Sequence, residues 1–272
     1  EGELFSLLGV NGAGKTTTIK MLCCLTRPTS GEAFLCGESI LQSPERVKEI
    51  IGVSPQETAV AANLTVRENL ELMGGVHGFP KEKTAAKIQE LSQQLKLGEV
   101  LSRRAGKLSG GWQRRLSIAM ALIGEPKILF LDEPTLGLDV LARSDLWDTI
   151  RALKGRMTIV LTTHYMEEAA DADYVVILDH GQIAAEGTPL KLKDTYTKDY
   201  VTLYAVDENA VRALNRPYTP VRDGFRVSVA NPAEAARLIR ENPALFRDFE
   251  VTKGKMDDIF LAVTGRKLGE EQ

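Results

Sequence analysis

Residues Gly9 to Thr17 read Gly-Val-Asn-Gly-Ala-Gly-Lys-Thr-Thr and match the phosphate-loop pattern G-x-x-x-x-G-K-[ST] at every required position. The apolar run Leu4 to Leu8 before this loop predicts a strand, and Thr18 to Leu25 after it predicts a helix. The alternative is an ordinary glycine-rich turn, which would require neither Lys15 nor Thr16 at these positions. The stretch therefore predicts a site for the phosphates of a nucleoside triphosphate.

The residue types of this loop suit that chemistry. Backbone N–H groups of a glycine-rich loop can surround phosphate oxygens, and a Cβ at Gly12 or Gly14 would obstruct that approach. We expect Lys15 to reach the β and γ phosphates and the Thr16 hydroxyl to ligate Mg²⁺, while the N-terminus of the following helix adds a partial positive charge. The residues expected to contact the nucleotide are Gly9, Asn11, Gly12, Ala13, Gly14, Lys15, Thr16 and Thr17.

Length and composition predict a soluble protein with one large and one small domain. The chain has 272 residues, and its 34 basic and 37 acidic residues give a formal net charge of −3, so no overall basic field would attract nucleic acid. Cys23, Cys24 and Cys36 have no C-x-x-C spacing, and we expect free thiols in a reducing cytosol. No apolar run approaches the roughly 20 residues of a membrane helix.

The first half of the chain predicts short strands followed by helices. Because the first strand begins almost at residue 1, we expect the natural N-terminus to lie upstream. Short apolar pieces between Thr29 and Ile40 predict a small antiparallel sheet beside the phosphate loop. A strand at Ile50 to Val53 should end at Pro55, which leaves Gln56 exposed on a loop. From about residue 63 to residue 124 the pattern is helical and predicts a helical subdomain inserted into the sheet.

Leu108-Ser109-Gly110-Gly111 lies inside the helical region and leads into a predicted helix. A Ser-Gly-Gly turn at a helix N-terminus is a second potential anion site. Taken alone, it would be an ordinary helix cap, and only its position among the other motifs favours the anion site.

Two buried strands are followed by polar residues that suit phosphate chemistry. Ile128 to Leu131 runs into Asp132 and Glu133, at the edge where α/β sheets place ligands. Asp132 could orient Mg²⁺ or its water, and Glu133 could polarise the water that attacks the γ phosphate; otherwise both are solvated turn residues. His164 follows the strand Thr158 to Thr162 and could donate a hydrogen bond to the γ phosphate, although alone it would be a structural histidine.

These landmarks occur in a fixed order, and residues 1 to about 196 resemble the ATPase domain of ABC transporters. The resemblance matches the Walker A loop at Gly9 to Thr17, the Q-loop at Gln56, the signature at Leu108 to Gly111, Walker B at Ile128 to Glu133, the D-loop at Leu138-Asp139 and the switch at His164. It implies an α/β P-loop NTPase core with an antiparallel β subdomain and an inserted helical subdomain.

The resemblance also implies how ATP is bound. ATP would lie between two such domains facing head to tail, so that Walker A of one opposes Ser109, Gly110, Gly111 and Asp139 of the other. The residues implied in cis are the catalytic Lys15, Glu133 and His164, and the Mg²⁺ ligands Thr16, Gln56 and Asp132, the last through water. Gln56 would also contact a transmembrane partner.

The sequence departs from the family pattern in two places. The aromatic residue that stacks on adenine lies upstream of the first strand in the family, and this sequence begins after that position. Trp112 stands where the signature usually continues with Gln, and it could pack near the composite site or simply within the helical subdomain.

The last part of the chain predicts a second domain. Residues 197–265 give the order β-α-β-β-α-β, which indicates a small α+β, ferredoxin-like accessory domain, followed by a tail at 266–272. Its ending, together with Leu136 to Arg143 and Thr162 to Ala169, resembles bacterial exporter ATPases of the drug-resistance and sodium-extrusion branch. We expect a regulatory or dimer-supporting role, with an inert appended module as the alternative.

The function that follows from the resemblance is ATP hydrolysis that powers a separate membrane permease, with export as the expected direction. The protein would be cytoplasmic and peripheral on the cytoplasmic face of the membrane, as a homodimer. A non-transport ABC ATPase that remodels a ribosomal, DNA or cell-envelope complex is the alternative, but long coiled coils and a second cassette are absent from this sequence. A small-molecule kinase would share the phosphate loop but would not explain Leu108 to Gly111.

Overall fold

The computed structural model describes residues 1–265 and forms two compact units, Glu1–Ile183 and the residues from Ala184 onward. We predicted that the first domain extends to residue 196, whereas residues 184–196 belong to the second compact unit. The domain boundary itself stays a prediction. The predicted tail at 266–272 lies outside the described residues.

A six-stranded sheet organises the first unit, and its edge strand at Gln182–Gly187 runs across the boundary at residue 183. Its strands are β1 (Leu4–Leu8), β4 (Ile51–Ser54), β5 (Ile128–Asp132), β6 (Thr158–Thr163), β7 (Tyr174–Asp179) and β8 (Gln182–Gly187). Their order is β4-β5-β6-β1-β7-β8, with parallel pairing from β4 through β7. The register places Leu8 opposite Thr163 and Asp132 opposite Thr162. The carboxyl ends of β1, β5 and β6 therefore lie side by side.

The strands are apolar because the sheet is covered on both faces. All residues of β5 are buried, and Phe130 packs with Leu7, Ile19 and Val176 in one cluster. Parallel strands that are buried on both faces read as continuous hydrophobic runs, which is why the sequence located β5 without alternation. The α/β fold class is confirmed.

Helices surround and interrupt this sheet. They are α1 (Lys15–Leu22), α2 (Pro44–Ile50), α3 (Val66–Val76), α4 (Lys81–Gln94), α5 (Gly110–Leu122), α6 (Val140–Leu153) and α7 (Met166–Ala170). Of these, α3, α4 and α5 make up the predicted helical insertion. Thr65 begins α3 with a capping box, in which its hydroxyl accepts from Glu68 N at 3.2 Å and its own N–H donates to Glu68 Oε2 at 2.7 Å.

Several predicted helix limits were wrong for local reasons. α1 begins at Lys15 rather than Thr18, because the phosphate loop leads directly into the helix, and it ends before Cys24, whose φ is 56°. The sequence predicts a helix from Arg143 to Lys154, whereas α6 begins at Val140, because Asp139 caps it. α2 was not predicted, although Ser43-Pro44 is a helix-start signal.

A short antiparallel hairpin forms between Thr29 and Ile40, as predicted. It consists of β2 (Phe34–Leu35) and β3 (Glu38–Ser39), with Phe34 opposite Ser39. Each strand has two residues, so the antiparallel piece is smaller than the sequence suggested. The strand predicted at Ile50 to Val53 is present as β4, and it belongs to the parallel sheet.

The second unit has its own sheet and core. Its elements are α8 (Pro189–Tyr196), β9 (Asp199–Tyr204), α9 (Glu208–Arg212), β10 (Tyr218–Val221), β11 (Gly224–Val229), α10 (Pro232–Glu241), β12 (Phe249–Thr252) and α11 (Met256–Thr264). The strands pair antiparallel in the order β10-β11-β9-β12 around a core that includes Val201, Val227 and Leu238. The β-α-β-β-α-β order is present; the ferredoxin-like assignment stays a prediction that this strand order supports. α8 was not predicted from the sequence.

None of the helices in residues 1–265 is long and apolar enough to cross a membrane. The longest, α4 and α6, have 14 residues each.

The fold predicts different reactivities for two of the cysteines. Cys23 is 2% exposed in the core of the first unit, and burial raises the pKa of its thiol to about 12, whereas Cys36 is exposed. Because the thiolate is the reactive form, we expect iodoacetamide at pH 8 to modify Cys36 at least about tenfold faster than Cys23. Fragment-ion mass spectrometry would measure both rates. In denaturant Cys23 should react readily; equal rates in the native protein would contradict this packing.

Candidate nucleotide-binding site

The phosphate loop joins β1 to α1 and lines an open cleft. Gly12 and Gly14 have φ values of 81° and 105°, the left-handed region that side chains disfavour. A Cβ on Gly9 would lie 2.6 Å from the carbonyl oxygen of Leu178, so close packing fixes that glycine. The cleft has a volume of about 390 Å³ and is lined by Val10, Asn11, Gly12, Ala13, Gly14, Lys15, Thr16, Thr17, Gln56, Glu133 and Leu136.

Lys15 is held at the base of this cleft by oxygen atoms. Its Nζ donates to Gly9 O at 2.7 Å and to Val10 O at 3.2 Å, and it lies 3.0 Å from Glu133 Oε1. The residue is 5% exposed. A buried ammonium requires such partners, since an unpaired charge is costly to bury. The Lys15 charge is therefore balanced by a carboxylate that phosphate oxygens could replace.

Asp132 ends β5 and receives two hydroxyl donors on one oxygen. Thr162 Oγ1 donates to Asp132 Oδ1 at 2.6 Å, and Thr16 Oγ1 donates to the same atom at 3.2 Å. Asp132 is 4% exposed. The structure thus brings Thr16 and Asp132, predicted from distant parts of the sequence, into direct contact.

Glu133 connects three predicted motifs. It is 4% exposed, its φ is 47°, and its N–H donates to Thr162 Oγ1 at 2.8 Å. The left-handed conformation costs a non-glycine residue about 1–3 kcal/mol, and it turns the carboxylate toward the cleft. Glu133 Oε2 lies 2.7 Å from His164 Nδ1, while Oε1 contacts Lys15. One carboxylate therefore links Walker A to the switch histidine.

The loop that carries Gln56 is attached to the signature helix. Arg114 of α5 donates from Nη1 to Pro55 O and from Nη2 to Gln56 O, both at 2.6 Å. Burial lowers the pKa of the Arg114 guanidinium and the charge of Asp132 opposes that shift, but arginine stays charged at neutral pH. The Gln56 side chain lines the cleft, so Arg114 fixes the backbone from which it extends.

Ser109, Gly110, Gly111 and Asp139 form a second group that does not line the cleft of this chain. Ser109 stands at the N-cap of α5, and its side chain makes no capping hydrogen bond. A Cβ on Gly111 would lie 3.2 Å from the Cβ of Ala142, so the signature packs against the first turn of α6. Asp139 caps that helix, with Oδ1 accepting from Ala142 N at 2.9 Å.

Trp112 is half-buried and lies beside Arg115, whose guanidinium carbon is 5.0 Å from the ring centroid. Arg115 in turn pairs with Asp145 of α6 at 3.1 Å. The ring of Trp112 thus contacts a residue of its own helix, and the placement near the composite site stays a prediction.

Thr162 and Arg114 were not predicted as site residues. Thr162 ends an apolar strand and is fully buried, next to the predicted His164; a buried hydroxyl at a strand end is a signal that could have found it. Nothing local distinguishes Arg114 from Arg115, because its partners lie near residue 55.

Comparison with known proteins gives a consistent result. The family described as ABC transporter matches residues 1–136. The doxorubicin resistance ATP-binding protein DrrA of Mycobacterium tuberculosis is 38% identical over 97% of this chain and 85% of that protein. The Nod factor export ATP-binding protein I of Burkholderia lata is 36% identical over 98% of this chain and 90% of that protein. ABC transporter A family member 1 of Dictyostelium discoideum is longer: the chain matches it at 34% identity but spans 33% of its length.

Comparison with solved structures gives the same fold. A dimeric ATP-binding cassette in a post-hydrolysis state with ADP and Pi superposes with a TM-score of 0.62 at 27% identity, covering 70% of this chain and 86% of that one. The phosphate loop and Glu133 line the cleft, and the switch histidine contacts Glu133. Together with these comparisons, the site shows that the chain belongs to the ATP-binding, ATP-hydrolysing subunits of the ABC transporter family.

Proposed function

We propose that this chain works as a pair with a second copy, head to tail, and hydrolyses Mg-ATP to drive export through a separate membrane permease. The observation that carries the proposal is the contact of Glu133 with both Lys15 and His164 at the cleft. That contact places a carboxylate suited to polarise water beside the residue suited to bind the γ phosphate.

ATP binding would change the partners of Lys15. The β and γ phosphates would compete with Glu133 Oε1 for the Lys15 ammonium, which is 3.0 Å away from that oxygen. Replacement by phosphate frees one oxygen of Glu133 and leaves the other beside His164 Nδ1. The freed oxygen can then accept a hydrogen bond from a water molecule in line with the γ phosphate.

The donor set fits Mg²⁺, which prefers oxygen ligands and binds through one or two carboxylates plus substrate phosphates. Thr16 Oγ1 and Asp132 Oδ1 lie 3.2 Å apart, and the Gln56 side chain lines the same cleft. We propose that Thr16 and Gln56 would hold the ion directly and Asp132 through water. When bound, the ion would neutralise charge on the β and γ phosphates.

The separation of the signature from the cleft supports a composite site. Ser109, Gly110 and Gly111 do not line the cleft of their own chain, so a second copy would have to supply them. Next to Asp139, Val140 and Leu141 are apolar yet 82% and 80% exposed. Such an exposed apolar pair beside the signature suits burial against the partner copy.

The names of the relatives support export, and they indicate that the ATP-binding chain does not select the cargo. One relative is named for doxorubicin resistance and another for Nod factor export. These cargoes differ greatly, while the ATP-binding chains are 38% and 36% identical to this one. We propose that the permease selects the cargo and holds this chain at the cytoplasmic face of the membrane.

Replacing Glu133 with Gln tests the assigned base. The amide cannot accept the proton of the attacking water, so we expect ATP turnover to fall by about 100-fold or more while ATP affinity stays within about threefold. Steady-state hydrolysis and fluorescent-nucleotide titration would measure the two quantities. Glu167→Gln, on the exposed side of α7, is the matched control. Turnover that survives Glu133→Gln would remove Glu133 from this role.

Thr162 provides a second test, because its hydroxyl binds both Asp132 and the backbone N–H of Glu133. Thr162→Val leaves the Glu133 N–H without its acceptor and takes one donor from Asp132, which should cost about 1–3 kcal/mol of unfolding free energy and lower ATP turnover. Thr162→Ser keeps the hydroxyl and should restore most of both. Urea unfolding and ATPase rates would check this, and equal losses in the two variants would refute it.

A further inference from the structure

Glu168 is a buried carboxylate beside the site that has no role in the mechanism above. It lies on α7 and is 4% exposed. Its Oε1 accepts from Thr135 Oγ1 at 2.5 Å, and its Oε2 accepts from Thr163 Oγ1 at 2.6 Å. Burying a carboxylate is costly unless both oxygens are satisfied, and here two buried hydroxyl groups satisfy them.

Its two partners belong to the two loops that carry the catalytic contact. Thr135 is two residues beyond Glu133, and Thr163 immediately precedes His164. Thr163 Oγ1 also accepts from Tyr165 N at 2.9 Å, so one hydroxyl fixes the backbone on both sides of the histidine. The Glu168 carboxylate therefore joins the loop after β5 to the loop after β6, behind the 2.7 Å contact of Glu133 with His164.

The ring of Tyr165 makes a second set of contacts around His164. Its centroid is 4.1 Å from that of the His164 ring, and the Arg143 guanidinium carbon lies 3.8 Å from the Tyr165 ring. Arg143 belongs to the first turn of α6, just after Asp139. The residues on either side of the switch histidine are thus held at two points: Thr163 is linked to Thr135 through the buried Glu168 carboxylate, and Tyr165 contacts Arg143 of α6.

We propose that Glu168 is a positioning residue for ATP hydrolysis: by binding Thr135 and Thr163 together, it keeps His164 in register with Glu133. This inference rests on the function proposed above for Glu133 and His164. Glu168 lies outside the residues that line the nucleotide cleft, so it acts on the rate of the chemical step rather than on nucleotide affinity.

A carboxamide at this position cannot accept a hydrogen bond from both hydroxyl groups through two oxygens, as the carboxylate does. Gln has one acceptor oxygen and one NH₂ donor, so Glu168→Gln leaves either the Thr135 or the Thr163 hydroxyl without its acceptor. We expect kcat to fall about tenfold, because small displacements of catalytic groups are costly, while KM for ATP changes less than about threefold. Glu167 precedes it on the same helix and is exposed, so Glu167→Gln should retain the wild-type kcat.

A second variant keeps the carboxylate and removes one partner. Thr135→Val preserves the side-chain shape and should also lower kcat without raising KM. Because both variants break the same link, the double variant Glu168→Gln/Thr135→Val should lose less than the product of the single losses. Thr135→Val alone tests the link if Glu168→Gln does not fold.

The experiment is steady-state Mg-ATP hydrolysis by the full chain, with thermal unfolding of each variant and Glu133→Gln in the same assay. A fall in kcat at unchanged KM in the Glu168 and Thr135 variants, with Glu167→Gln at the wild-type kcat, supports the inference. An unchanged kcat in folded Glu168→Gln or Thr135→Val, an effect on KM alone, or an equal loss in Glu167→Gln overturns it.

The Glu133→Gln variant separates failure of this inference from failure of the proposed function. If Glu133→Gln retains turnover, the proposed function fails as well. If Glu133→Gln stops turnover and Glu168→Gln does not lower it, this inference alone fails.

Discussion

Parallel pairing of β1 with β6 and of β6 with β5 is the constraint on which the site depends. Opposite residues in this register are Leu8 and Thr163, and Asp132 and Thr162. The chain leaves all three strands at the same edge of the sheet, where the phosphate loop, the Walker B carboxylates and the switch histidine begin. A shift of one residue between β5 and β6 would turn Thr162 to the other face and break its bonds to Asp132 and to Glu133 N.

The buried polar groups at this edge form one connected set. Hydroxyl groups of Thr16 and Thr162 meet Asp132, and the Glu133 carboxylate lies between Lys15 and His164. In a low-dielectric site each of these groups would be costly alone, and together they satisfy one another. We propose that the nucleotide exchanges one such partnership, that of Lys15 with Glu133, for another with phosphate, so that the Lys15 ammonium keeps an anionic partner.

The sequence predicted the parts of the site that local chemistry dictates. The phosphate loop has a pattern that few other structures require, and the acidic end of a continuous apolar strand marks the ligand edge of the sheet. It did not predict Thr162 or Arg114, because their roles depend on strand register and on partners far along the chain. The predicted ends of helices were wrong where a capping residue or a residue with positive φ sets the end, as at Asp139 and Cys24. The helices at Pro44 and Pro189 were missed although proline at the first helical position was a visible signal.

In the proposed head-to-tail pair, the signature is the part of the site that the second copy supplies, since in its own chain it packs against α6 and does not line the cleft. The most direct measurement is therefore the mass of Glu133→Gln by light scattering, with and without saturating Mg-ATP. The account predicts a monomer without nucleotide and a dimer with it, and Ser109→Arg in the same background should abolish the dimer. A particle that remains monomeric in saturating Mg-ATP would contradict a site shared between two copies.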